Sequence, residues 1–87
     1  MTKTEGEMLA LVRSYTQAGR WEVDSHGRLR MRERGAAFGD VRHGLLAGRR
    51  CSVQGNGRWR LETEDLDGDD LTLILAVDDG VLVITLF

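Results

Sequence analysis

The chain has 87 residues, of which 41% are hydrophobic and 30% charged, and its formal net charge is −2. That balance suits a single globular domain over residues 1–87 and excludes an intrinsically disordered chain. No apolar run approaches the ~20 residues that span a bilayer, and the polar, acidic start Met1–Glu7 is unlike a signal peptide. The lone Cys51 excludes an intrachain disulfide and a multi-cysteine zinc site. Together these features predict a cytoplasmic protein with no membrane contact.

Thr4-Glu5-Gly6-Glu7 fits a capping box. Met8, Leu11, Val12 and Tyr15 then recur at helical spacing, and Gly19 follows as a stop, so a helix is predicted over 5–18. Trp21-Glu22-Val23 alternates apolar and polar, as a short strand or an extended lead-in would. Asp24 or Ser25 caps a second helix over 25–34, closed by Gly35. A third, over 38–47, places Phe38, Val41, Leu45 and Leu46 on one face, and Gly44 inside it costs roughly 1 kcal/mol of propensity.

The remainder reads as a four-stranded antiparallel meander with strands at 49–54, 58–64, 71–77 and 81–87. Gly55-Asn56-Gly57, Asp67-Gly68 and Asp79-Gly80 supply the turns, since Asn-Gly and Asp-Gly favour the positive φ of tight hairpins. The predicted class is α+β, with the helices packed on the sheet. The last two strands are apolar at nearly every position, where a strand with one wet face should alternate. That pattern predicts cover on both faces, from the first helix or from a second copy in a homodimer.

Charge is divided unevenly. Residues 1–50 hold ten Lys/Arg against six Asp/Glu, whereas 51–87 hold two against eight. Eleven of the twelve basic residues are Arg, whose guanidinium fork suits phosphate. The densest stretch is His26-Gly27-Arg28-Leu29-Arg30-Met31-Arg32-Glu33-Arg34-Gly35. On a helix, His26, Arg30 and Arg34 fall within about 80° of one another, and Arg28 and Arg32 take the far side. At least one of these arginine faces must meet protein, a ligand or a partner. An imidazole beside two guanidiniums suits RNA cleavage by 2′-hydroxyl attack: arginine stabilises phosphate charge and histidine moves protons near neutral pH. His26, Arg30 and Arg34 are therefore the candidate catalytic residues, and Arg28, Arg32, Arg49 and Arg50 the candidate RNA-binding ones. The alternative is that Arg30 and Arg34 form structural ion pairs, and His43 reads as a surface residue.

The same run, with Asp40-Val41, Gly48 and the ending Val83-Ile84-Thr85-Leu86, resembles a bacterial domain family of unknown function. Its pattern is roughly H-A-x-x-R-M-x-x-R-G-I-x-x-x-D-V, followed by four strands. The likeness covers about 21–87, with 1–19 additional. Gly27 stands at the pattern's alanine and Ala36 at its isoleucine. In layout the family is similar to the BrnT and RelE-like ribonuclease toxins of toxin–antitoxin pairs. The resemblance implies a RelE-like fold, messenger RNA as substrate and a protein antitoxin as partner.

Asp65-Leu66-Asp67-Gly68-Asp69-Asp70 departs from a calcium loop, with Asp70 at the position of its glycine and Ala76 at that of its glutamate, and reads as a polar turn. No cofactor and no metal is expected. Three readings compete: a metal-independent ribonuclease toxin, a non-catalytic interaction or self-associating module, and a nucleic-acid binder without chemistry.

Overall fold

The computed structural model describes residues 3–87, so Met1 and Thr2 of the polar N-terminal run lie outside it. In chain order the elements are α1 (Glu5–Gln17), β1 (Trp21–Val23), α2 (Ser25–Arg34), α3 (Phe38–Leu46), β2 (Arg50–Gly55), β3 (Arg58–Glu64), β4 (Asp70–Val77) and β5 (Val81–Leu86). The class is α+β, as predicted. The sheet differs from the predicted four-stranded antiparallel one: it has five strands in the order β1-β5-β4-β3-β2 and is mixed. The meander β2 to β5 is antiparallel, and Trp21-Glu22-Val23 adds a parallel strand on β5, pairing Trp21 with Val81 and Val23 with Val83. Three residues are too few to show a periodicity, and the partner lies at the far end of the chain.

The helix ends follow local chemistry. The Thr4 hydroxyl accepts from the Glu7 amide at 3.1 Å and the Glu7 carboxylate accepts from the Thr4 amide at 2.9 Å, completing the capping box. Asp24 caps α2 by accepting from the Gly27 amide, and Gly35, at φ 76°, ends it in the left-handed conformation. The N-cap of α3 is Ala37, which has no side-chain acceptor; Asp40, three residues on, takes the Ala37 amide instead. At the other end of α3, Arg13 of α1 donates to the carbonyls of Leu46 and Gly48. A cation there complements the negative end of the helix dipole.

The three helices send their buried side chains into one core. Met8 and Val12 of α1, Met31 of α2 and Val41 and Leu45 of α3 meet Cys51, Leu61, Leu73, Leu75 and Val83 of the sheet. Two glycines allow the close approach. A Cβ on Gly27 would sit 2.6 Å from Val23 Cγ1 and 2.9 Å from the Val83 carbonyl oxygen, so α2 rides on the backbone of β5. A Cβ on Gly44 would sit 3.0 Å from Thr63 Cγ2, and the Thr63 hydroxyl donates to the Gly44 carbonyl.

Of the two covers expected for the second face of the last two strands, the first helix or a second copy of the chain, the structure removes the first helix. α1 joins α3 on the inner face, so it does not cover the other. Part of the continuous apolar pattern has a local cause. The register of β4 against β5 jumps between Ile74–Thr85 and Leu75–Val83, leaving Ile84 as an extra residue. That bulge lets Val81, Val83 and Leu86 all reach the core although their spacing breaks alternation. The outer face carries Arg58, Arg60, Glu62, Thr72, Ile74, Ala76 and Leu82 by alternation. Ile74 alone of these is buried there; its register partners are Arg60 and Thr85, and the Arg60 guanidinium lies over Phe87.

Candidate functional site

The sequence places His26, Arg30 and Arg34 on one face of α2, but their heads go to different places. The Arg34 guanidinium donates to the backbone carbonyl of Asp70 at the start of β4. Arg30 lies along its own helix, 3.8 Å from Glu33. His26 is exposed near the start of α2. None of the three lines the hollow between α2 and α3 or the one by β1 and the β4–β5 turn.

The predicted RNA-binding arginines divide into two pairs. Arg28 and Arg32 border an open hollow of about 370 Å³ between α2 and α3, together with Met31, Ala36, Ala37 and Phe38. Arg28 is anchored through Nε to the Val23 carbonyl, and its guanidinium lies 5.9 Å from the Phe38 ring centroid. Phe38, placed by periodicity on the apolar face of the third helix, is instead 52% exposed. It is the first helical residue and looks across to α2 rather than down into the core. Arg49 and Arg50, in contrast, lie at the start of β2 among acids: Arg50 is 3.9 Å from Glu62, and Arg49 reaches Glu64 and Asp70.

A cluster that the sequence does not announce forms around Arg49. His43 Nε2 of α3 lies 3.2 Å from Glu64 Oε2 at the end of β3. Glu64 Oε1 is 3.9 Å from Arg49, which donates to the Thr63 carbonyl and lies 3.6 Å from the Asp70 carboxylate. Arg34 comes in from α2 to the Asp70 backbone. Glu64 and Asp70 face each other in the β3–β4 register, so the two acids stand side by side at this end of the hairpin. One imidazole, two carboxylates and two guanidiniums from α2, α3, the α3–β2 link, β3 and β4 thus converge. His43 and Glu64 are each about one-third exposed, 35% and 36%, so the pair is open to a ligand. Nearby, Asp40 accepts from the amides of Ala37 and Leu66, which hold its carboxyl below the ordinary value of 3.8.

Elsewhere, Asp65, Asp67 and Asp69 approach within 4.8 Å, and Asp65 accepts from the Asp67 and Asp69 amides, which is the bonding of a polar turn. Cys51 is buried, and burial pushes its thiol up to about 11, out of the reactive range. A wider hollow of about 610 Å³ opens by β1 and the β4–β5 turn, where Arg20 pairs with Asp79 at 2.8 Å. No helix among the described residues is long and apolar enough to cross a membrane. Comparison of the chain with family models, curated proteins and solved structures finds no match.

Proposed function

We propose that the chain is a metal-independent ribonuclease of the RelE-like toxin kind, with His43 and Glu64 as its acid–base pair. The observation that carries this reading is the half-open His43–Glu64 contact with Arg49 and Arg34 beside it. Exposed ion pairs contribute about 0–1 kcal/mol each, so such a convergence offers little stability. Its chemical content is larger. Cleavage by 2′-hydroxyl attack needs a base, an acid and cations at the phosphate.

Glu64 takes the 2′-hydroxyl proton as the 2′-oxygen bonds to phosphorus. The P–O5′ bond breaks, and protonated His43 gives its proton to the departing 5′-oxygen. The products are a 2′,3′-cyclic phosphate and a 5′-hydroxyl. Arg49 and Arg34 each use part of a five-donor fork on carbonyl partners, which leaves N–H groups for the non-bridging oxygens. In this reading Arg34 keeps the role assigned from sequence, and His43 replaces His26. The remaining trio partner, Arg30, lies outside the cluster.

The test is incubation of single-stranded RNA with the purified protein in chelator. Cleavage leaving cyclic phosphate ends is expected. His43→Ala and Glu64→Gln should each slow it about 10²–10⁴-fold, while His26→Ala should leave it near wild type. Intact RNA with the wild-type protein, or full activity in His43→Ala, overturns the proposal.

A second reading, a non-catalytic interaction or self-associating module, is favoured by one observation. The outer sheet face, with Ala76 and Leu82 half-buried on it, receives none of the buried helix side chains. A protein antitoxin or a second copy of the chain would find apolar surface there.

A further inference from the structure

We infer that the hollow between α2 and α3 seats one nucleotide of a single-stranded nucleic acid, with its base on Phe38 and its phosphate on Arg28 and Arg32. The inference deepens the ribonuclease reading by naming how the strand is held, and it rests on that reading for the choice of RNA.

Three features point the same way. Phe38 keeps half of its surface open, and its ring is already turned to an arginine. A helix-initial position does not require an aromatic residue, and an exposed ring is a stacking platform that accepts any base. Arg28 is fixed by its Nε bond to Val23, so its terminal nitrogens are held at the rim with little entropy left to lose. Arg32 is exposed on the same rim.

The lining also says what is excluded. It holds two guanidiniums and no Asp or Glu, in a chain that is acidic overall. The floor of Met31, Ala36 and Ala37 is apolar and short-chained, which leaves depth beside the ring. A phosphate alone would use the arginines but not the ring. An acidic peptide would use the charges but gain little from stacking. A nucleotide uses all three.

A labelled single-stranded oligoribonucleotide with 2′-O-methyl groups tests the seat, because it binds but cannot be cut by 2′-hydroxyl attack. Fluorescence anisotropy should show binding to the wild-type protein. Phe38→Ala should weaken it about tenfold or more, and Phe38→Trp should restore it. Arg32→Ala should weaken it and flatten the dependence of log affinity on log salt by about one charge. Arg58→Ala, on the outer sheet face, should change neither. Absence of binding, an unchanged affinity in Phe38→Ala, or equal competition by inorganic phosphate or a poly-glutamate peptide overturns the proposal. The outcomes separate from those of catalysis. Phe38-dependent binding without cleavage keeps the seat and removes the nuclease, and cleavage with Phe38-independent binding does the reverse.

Discussion

Glycines 6 and 27 both sit inside helices, where glycine costs about 1 kcal/mol relative to alanine. Their surroundings give the same substitution opposite signs. A Cβ on Gly6 meets nothing within 4 Å, whereas one on Gly27 strikes Val23 and the Val83 carbonyl, and a strand backbone cannot step aside. Gly6→Ala should therefore raise stability by up to about 1 kcal/mol. Gly27→Ala should lower it by about 1–3 kcal/mol. Denaturant melts of the two variants check both signs. In the fold Gly27 is the contact that brings α2 onto β5. Cys51 offers another residue-scale check. Its burial should keep the native thiol unalkylated by iodoacetamide at pH 8, with full modification only after denaturation, as mass spectrometry would show.

At the scale of elements, α3 depends on a substitute cap. Ala37 cannot accept a hydrogen bond through its side chain, so Asp40 takes the Ala37 amide and also ties the Leu66 amide of the β3–β4 turn to the helix. Both bonds favour the ionised carboxyl and lower its folded value. A lowered carboxylate stabilises the fold above the unfolded value, about pH 4, and the contribution fades as pH falls further through the folded value. Asp40→Ala should therefore lower Tm by roughly 5 °C at pH 7. The gap from wild type should close as melts are taken toward pH 2. Helix and meander boundaries were legible to within a residue or two, because capping residues, glycine stops and Asn-Gly or Asp-Gly turns act locally. β1 was open between strand and lead-in because the strand it pairs with, β5, is distant in sequence and no local signal announces it.

For the whole molecule, the outer face of the sheet is the side away from the helix layer. If a second copy covers it, sedimentation should give twice the 9.7 kDa chain mass, and Leu82→Glu should return a monomer; a wild-type monomer at all concentrations would remove self-association. The α+β class follows from periodicity, since 3.6- and 2-residue repeats mark out helices and strands; the one-sided core does not, because the apolar run of the last two strands predicted cover on both faces and the β4–β5 bulge accounts for part of that run. The candidate site was legible only as an excess of arginine. Where each guanidinium points depends on what the other elements bring to it. Arg34 meets Asp70, Arg28 meets Phe38, and Arg49 meets Glu64, and no sequence spacing encodes those pairs. His43 reads as an ordinary surface histidine until the β3–β4 hairpin carries Glu64 to it. Local preference is written in neighbours along the chain and determined the elements. The encounter of charged side chains is written in the folded geometry, and only the tertiary structure decided it.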